Sequence, residues 1–177
     1  MARSQTLPYR APLPDYEARA RDLLGAIQSG DHDALWHVKW EHPGFRGKSI
    51  DEVRAASLAL ADAQAVTAGE HAFDSWKDVE AFTRTVASDD AVARFEAAAD
   101  AVVLGDAAAL CAALRSQPEL VRAHSVRRHH ATLLHYLGAN GVESARMKTP
   151  PNAVEIATIG QRHEIAAYLR DRGAPTA

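Results

Sequence analysis

One helical unit occurs twice in this chain, and the repetition restricts the folds that the chain can adopt. In each copy, a glycine allows a left-handed turn, the next aspartate caps a helix, and a proline ends that helix. A hairpin of two short helices cannot bury its own apolar face, so the pattern predicts that neighbouring hairpins stack as a solenoid. The landmarks recur at an offset of 75 residues: Gly30-Asp31 as Gly105-Asp106, Ala34-Leu35 as Ala109-Leu110, and Pro43 as Pro118.

The spacing of apolar residues predicts helices along most of the chain. Apolar side chains recur three and four positions apart from Tyr16 to Ile27 and again from Val92 to Val103, as on one face of a helix. Ser49 and Glu52 suit a capping box, which predicts the start of a long alanine-rich helix that ends near His71. We expect an all-α fold of about nine helices with at most short β-hairpins. The alternative is a compact bundle of roughly six to eight helices in which only the last third of the chain is repeat-like.

Composition supports this fold class and excludes several kinds of partner. Hydrophobic residues make up 47% of the chain but aromatic residues only 6%, a balance that favours closely packed helices over a β-sandwich. The formal net charge of −3 offers no general attraction to nucleic acid or to anionic membranes. The single cysteine, Cys111, rules out an internal disulfide and suits the reducing cytoplasm. No apolar run approaches the roughly 20 residues that span a bilayer, and we expect no signal peptide.

Helix-breaking residues divide the chain into regions. Pro8, Pro12 and Pro14 predict an extended N-terminal arm over residues 1–14, laid on the surface or mobile. Residues 15–90 are expected to form an N-terminal helical region. Residues 91–177 are expected to form helical repeats.

Short motifs in the C-terminal half carry a family resemblance. Thr132-Leu133-Leu134-His135 is similar to the Thr-Pro-Leu-His that opens the first helix of an ankyrin repeat, and Asn140-Gly141 to the dipeptide that ends it. Residues 163–169 with Gly173-Ala174 resemble the second helix and its terminal Gly-Ala. Residues 95–174 therefore resemble a divergent ankyrin-repeat array of bacterial type. The resemblance implies structural roles for Thr132, His135, Gly141, Gly173 and Ala174, with Thr132 and His135 hydrogen-bonding within and between repeats.

Two departures from the family pattern stand out. Leu133 replaces the family proline, and the 23 residues between Gly141 and Ile165 include Pro150-Pro151, where a regular repeat has only a few residues. Either an insertion splits the repeat or two shortened repeats overlap, with residues 152–157 as the first helix of the last one. In both cases the repeat pattern implies that Leu134 is buried and that His135 is packed.

The binding residues are predicted from charge and loop position. Residues 124–131 and 143–149 precede or interrupt the ankyrin-like helices, where the family's hairpin tips contact partners. They also hold a local positive excess that would steer an acidic protein partner. Trp36 and Trp40 lie four positions apart and could anchor a partner, although core packing is the commoner use of such residues. The predicted contact residues are Arg127, Arg128, His129, His130, Arg146 and Lys148, with Trp36 and Trp40 as a second anchor.

The same residues argue for a binding or scaffolding module more than for an enzyme. His37 and Glu41 share a helix face, but zinc needs further ligands, so we expect no metal, no cofactor and no catalytic residue. Cys111 falls on an apolar stripe with Leu110 and Leu114, which indicates a core position. The alternative is a small metal-dependent or acid/base hydrolase with a pocket between the N-terminal helices and the repeats. The oligomeric state is left open by these patterns.

Overall fold

The computed structural model describes residues 7–138 and 171–172, and this part of the chain is built from helices. The prediction of an all-α fold is confirmed, because the described residues include no strand. None of these helices combines the length and apolar character needed to cross a bilayer. The α-helices are α1 (Leu13–Gln28), α2 (His32–Glu41), α3 (Ile50–Ala55), α4 (Leu60–Glu70), α5 (Trp76–Ser88), α6 (Asp90–Leu104), α7 (Ala107–Ser116) and α8 (Leu133–Gly138), with 3₁₀ helices at Pro43–Phe45 and Pro118–Val121.

The described residues divide into two compact units. The first unit comprises residues 11–83, and the second comprises residues 7–10 together with 84–138 and 171–172. The division falls inside α5, a few residues before the boundary expected at residue 90. Tyr9 belongs to the buried core of the second unit. The arm is therefore anchored at Tyr9, and the expectation that it lies on the surface or is mobile is wrong for this residue.

The turn that the sequence repeats has the same geometry in both units. Gly30 and Gly105 are left-handed, with φ angles of 76° and 72°. Asp31 and Asp106 each accept a hydrogen bond from the backbone N–H three residues later, at 2.9 Å in both cases. Helices α2 and α7 occupy equivalent positions under the 75-residue offset, and each precedes a 3₁₀ helix that begins at a proline. The repeated landmarks therefore mark a repeated local structure.

In the first unit, the core lies between the first four helices. Helix α1 packs most extensively on α4, while α2 packs on both α3 and α4. The ring of Tyr16 adds an edge-on contact with Phe73, with centroids 6.2 Å apart. The buried apolar residues are Leu23, Ile27, Ala34, Leu35, Val38, Val53, Ala63 and Val66.

The long helix predicted from Ser49 to His71 is wrong, since α3 and α4 are separate helices. The predicted capping box is present: the Ser49 N–H donates to Glu52 Oε2 at 2.8 Å, and the Glu52 N–H donates to Ser49 Oγ at 3.2 Å. A second helix start occurs where the Ala59 N–H donates to Asp62 Oδ2 at 2.8 Å. The alanine-rich stretch has a uniform helix propensity, so the sequence pattern hides the break that this hydrogen bond stabilises.

In the second unit, α6 packs on α7 and α8. Both units thus share one succession: a helix, a Gly-Asp turn, a shorter helix, a 3₁₀ helix starting at proline, and a later helix that returns to the first. Leu133 is fully buried in α8, whereas Leu134 is partly buried against the same core, so the expectation that Leu134 is buried is met only in part. The buried apolar residues include Tyr9, Phe95, Val102, Leu110, Leu114, Leu120, Leu133 and Tyr136.

Several predicted features lie outside the described residues. These are the helices expected over residues 152–157 and 163–169, the loop 143–149 with Arg146 and Lys148, and the motif residues Gly141, Gly173 and Ala174.

Candidate interaction surface

Residues 124–131 form a closed loop between the second 3₁₀ helix and α8. The Ser125 N–H donates to the carbonyl of Ala131 at 2.8 Å, and the His130 N–H donates to the carbonyl of Arg127 at 3.0 Å. The Ala131 N–H donates to Nδ1 of His129 at 3.1 Å. These bonds define the path of the backbone, so the loop side chains project from a rigid support, as binding residues often do.

Side chains along this loop alternate between the interior and the surface. Ser125 and Arg127 are buried, and Arg127 is only 2% exposed. Between and beside them lie exposed side chains, of which Val126 is 51% exposed. His129 is half-buried, with its ring edge-on to Tyr136 at 5.7 Å. The exposed residues, called the loop face below, are Arg122, His124, Val126, Arg128 and His130.

Beneath the loop face, Arg127 pairs with a buried glutamate of α6. Arg127 Nε lies 3.5 Å from Oε2 of Glu96, and the Ser125 hydroxyl donates to Oε1 of Glu96 at 2.7 Å. Arg127 Nη2 also donates to the backbone carbonyl of Tyr9 at 2.6 Å. Removing one partner of a buried ion pair leaves the other charge uncompensated. The Glu96–Arg127 pair therefore holds the loop onto α6.

Burial dominates the ionisation of this interior. Burial raises the pKa of Glu96 above its usual range, and the nearby carboxylate of Asp100 acts in the same direction. The charge of Arg127 and the hydrogen bond from Ser125 lower the pKa of Glu96 without offsetting burial. Burial also raises the pKa of Tyr136, and the charge of Glu96 adds to that effect. Burial therefore raises the pKa of both acidic groups, Glu96 and Tyr136, beneath the loop.

The structure corrects the predicted role of Arg127. This residue was expected to reach a partner from an exposed loop, but its guanidinium is buried against Glu96 and the Tyr9 backbone. Arg128 and His130 are exposed as expected, while His129 is half-buried. Of the contact residues predicted in this loop, Arg128 and His130 are therefore the exposed ones, and His129 is exposed only in part.

The two tryptophans of α2 form an exposed aromatic face in the first unit. Trp36 and Trp40 are 46% and 54% exposed, and their ring centroids lie 5.8 Å apart. Nζ of Lys39 lies 5.1 Å from the centroid of each ring, a cation–π arrangement. His32 packs against Trp36 at 6.1 Å. These four residues, called the α2 aromatic face below, leave apolar surface open to solvent, as interaction sites often do.

A buried carboxylate in the first unit brings charged groups of three helices together. Arg19 Nη2 of α1 lies 3.3 Å from Oε2 of Glu70, and Nδ1 of His37 in α2 donates to Oε1 of Glu70. Burial raises the pKa of Glu70, but the His37 hydrogen bond and the charges of Arg19, His37 and His71 outweigh it, so the pKa is lowered overall. The sequence places His37 and Glu41 on one helix face, but the structure shows His37 hydrogen-bonded to Glu70. No group of three potential metal ligands occurs among the described residues.

The tetrapeptide at the start of α8 has a local hydrogen-bonded geometry. The backbone N–H of Thr132 donates to Nδ1 of His135 at 3.1 Å, and the Thr132 hydroxyl lies 2.8 Å from the same nitrogen. Thr132 is buried. His135 is exposed, so the expectation that its side chain is packed is wrong.

Sequence reasoning missed the buried acids Glu70 and Glu96, although a signal was present. Glu70 continues the buried stripe of α4 through Ala63 and Val66, at spacings of three and four. Glu96 lies next to Phe95 on the buried stripe of α6. A carboxylate on an apolar stripe needs a buried partner, which predicts a cation elsewhere in the chain without identifying it.

Comparison of the chain with protein-family models, with curated proteins and with solved structures gives no match. The fold defines a broad class, an all-α protein built from helical hairpins. Its function is inferred from the loop face, the α2 aromatic face and the buried carboxylate of Glu70.

Proposed function

We propose that the chain is a protein-interaction module of ankyrin-repeat type and that the loop face is its principal contact surface. One observation carries this proposal. The loop backbone is held by the buried Glu96–Arg127 pair, while the alternate side chains Val126, Arg128 and His130 are exposed. A loop ordered before binding loses less conformational entropy when a partner docks.

Two further features support the ankyrin-repeat type. The Gly-Asp turns have matching left-handed φ angles, and a later helix of each unit, α4 or α8, packs on the first helix of that unit. The Thr132–His135 hydrogen bonds occur at the start of α8, where the family tetrapeptide makes bonds of this kind. The loop face directly precedes that helix, at the position of the family's hairpin tips.

The chemistry of the loop face favours an acidic partner. Arg122 and Arg128 contribute positive charge to the loop face. The chain as a whole has a formal charge of −3, so this positive region is local. Such a region steers an oppositely charged partner and makes association sensitive to salt. We place this interaction in the cytoplasm, in keeping with the single cysteine.

Site-specific photo-crosslinking in the native cells tests this proposal. The crosslinking residue p-benzoylphenylalanine replaces Val126 in one variant and Leu60, which is exposed on α4, in a matched control. An acidic protein captured at position 126 and not at position 60 supports the loop face. The same proteins captured at both positions, or none captured at 126, would overturn it.

The α2 aromatic face is a second contact surface within the same function. Trp36 and Trp40 contribute large, rigid apolar area, and residues of this type often dominate binding energy. Because Leu35 and Val38 hold the opposite side of α2 in the core, the tryptophans are presented on a supported helix. A Trp36→Ala/Trp40→Ala variant is expected to weaken binding of a captured partner if that partner spans both surfaces.

A small acid/base enzyme is the second candidate, and the His37–Glu70 pair favours it. A buried carboxylate that accepts a hydrogen bond from Nδ1 orients an imidazole in the way that general bases require, and the His37 side chain is 33% exposed. Hydrolysis of an activated ester such as p-nitrophenyl acetate tests this candidate. A rate that falls at least about tenfold in His37→Gln, compared with His32→Gln, supports catalysis. Equal rates in both variants exclude it for this ester.

A further inference from the structure

Tyr9 is bound through both of its backbone polar groups. Its N–H donates to Oδ1 of Asp100 on α6 at 2.9 Å, within the buried interior. Its carbonyl accepts a hydrogen bond from Nη2 of Arg127 at 2.6 Å. Asp100 and Arg127 lie 91 and 118 positions away in the sequence, and both are buried. Side chains, not a neighbouring backbone, therefore satisfy the donor and the acceptor of a single non-helical residue.

The Tyr9 side chain is held just as specifically. Its ring lies 5.0 Å from the ring of Tyr136, centroid to centroid, in a tilted arrangement. The guanidinium carbon of Arg127 lies over the Tyr9 ring, 4.8 Å from its centroid, and forms a cation–π contact. Tyr9 is only 4% exposed and belongs to the core of the second unit. An aromatic ring, a backbone donor and a backbone acceptor are thus all recognised at one place.

The neighbours of Tyr9 contribute little to this contact. Pro8 and Arg10 are exposed, and Leu7 is half-buried. No helix includes residues 7–12, although Tyr9 and Arg10 form a turn. Ala11 is also buried, but it belongs to the first unit. Among residues 7–10, the described part of the arm in the second unit, the buried residue is Tyr9, in the manner of a short peptide whose aromatic side chain fills a pocket.

We propose that Asp100, Arg127 and Tyr136 form a binding site for a non-helical, tyrosine-containing peptide segment, and that Tyr9 occupies this site in cis. A segment from a partner with the same chemistry competes with the arm for the site. Because the arm is covalently attached, it competes intramolecularly with any free segment for the site. The arm therefore keeps the site closed until a competitor of sufficient affinity or concentration displaces it.

The Tyr9 site and the loop face differ in the chemistry that they recognise. The loop face binds through exposed charge, whereas the Tyr9 site recognises an aromatic residue and its backbone. Arg127 supports both, since it holds the loop and binds Tyr9. Arg128→Glu is expected to weaken the binding of an acidic partner at the loop face and to leave peptide binding at the Tyr9 site unchanged. The proposed loop-face interaction and the proposed Tyr9 site can therefore fail separately.

A fluorescent synthetic peptide with the sequence of residues 7–12 tests the proposal by anisotropy, with the full chain as receptor. Tyr9→Ala empties the site, and Arg10→Ala, an exposed neighbour, is the matched control. The peptide is expected to bind Tyr9→Ala at least about tenfold more tightly than wild type or Arg10→Ala, because the attached arm reduces the open fraction. A peptide with alanine in place of tyrosine is expected not to bind.

The test remains decisive if Tyr9→Ala unfolds. In that case the tyrosine peptide is titrated into the unfolded variant and helix content is followed by circular dichroism, because a ligand of the native state alone shifts the equilibrium toward folding. Recovery of the helical signal with the tyrosine peptide, but not with its alanine counterpart, supports the site. A peptide that neither binds the folded variant nor refolds an unfolded one overturns the proposal, as does equal binding of both peptides.

Discussion

At the scale of single residues, two adjacent arginines have different roles. Arg127 is buried and paired with Glu96, whereas Arg128 is exposed on the loop face. The sequence presents both in one basic run, so charge pattern alone cannot separate them. The difference depends on Glu96, which lies 31 positions away, and long-range pairing of this kind leaves no local pattern. The basic loop was predictable from sequence, but its buried anchor was not.

Alanine substitution separates the two arginines by stability. Arg127→Ala leaves the buried Glu96 carboxylate without its cation and is expected to lower the free energy of unfolding by about 3–5 kcal/mol. Arg128→Ala removes an exposed charge and is expected to lower it by at most about 1 kcal/mol, since exposed charges contribute little to stability. Urea denaturation followed by circular dichroism measures both. Equal effects of the two substitutions would show that Arg127 does not anchor the loop.

The pH dependence of stability tests the Glu70 pairing. The pKa of Glu70 is lowered in the folded chain by His37 and Arg19 despite burial. The unfolded state therefore takes up this proton more readily, and the stabilisation is present at neutral pH and lost as pH falls through the folded pKa. Glu70→Gln is expected to be less stable than wild type by about 3 kcal/mol near neutral pH, and this gap should narrow as the pH is lowered.

Urea denaturation at several pH values below neutrality measures that gap. Glu17→Gln, at a partly exposed position on α1, is the control and is expected to stay close to wild type throughout. A gap that widens on acidification would contradict the lowered pKa of Glu70.

At the scale of elements, the sequence predicted several helix ends correctly but did not predict that residues 49–71 form two helices. The Gly-Asp turns at residues 30–31 and 105–106 and the capping box at Ser49 were recognisable because each depends on residues a few positions apart. The break between α3 and α4 was missed because it lies within an alanine-rich stretch where helix propensity does not change. The cap at the start of α4 was missed as well, because Asp62 bonds the N–H of an alanine, which is not a typical N-cap residue.

The same substitution at two glycines is expected to have opposite effects. Gly25 lies within α1, where an added Cβ would meet no atom within 4 Å, so Gly25→Ala is expected to stabilise the fold by about 0.5–1 kcal/mol. Gly30 has equally open space but a φ of +76°, so Gly30→Ala is expected to destabilise by roughly 1–2 kcal/mol. Thermal and urea unfolding measure both, and changes of the same sign would contradict the left-handed turn.

In α8, two adjacent leucines are expected to contribute differently to stability because they are buried to different extents. Leu133 is fully buried and Leu134 only partly, although the repeat pattern implied that Leu134 is buried. Leu133→Ala is expected to cost about 2–5 kcal/mol of unfolding free energy, and Leu134→Ala about 1 kcal/mol. The reverse order, measured by urea denaturation, would mean that α8 packs through its other face.

At the scale of the molecule, the all-α class and the repeated hairpin followed from periodicity and helix caps. The placement of Tyr9 in the core of the second unit did not, because a proline-rich arm gives no sign of what its one aromatic residue contacts. The division into two units inside α5 was not predicted either, because it depends on which helices pack together and not on a break in the sequence pattern. The candidate contact residues could be predicted from the sequence by type, and the structure distinguishes which of them reach solvent.

The central claim is that the chain binds an acidic protein through the loop face. Isothermal titration of the crosslinked partner against purified variants tests it most directly, with Arg46→Glu, an equal charge change at an exposed position of the first unit, as control. Arg128→Glu is expected to raise the dissociation constant at least about tenfold, with a melting temperature close to wild type, while Arg46→Glu leaves both unchanged. Full affinity in Arg128→Glu, or equal loss in both variants, would contradict the claim.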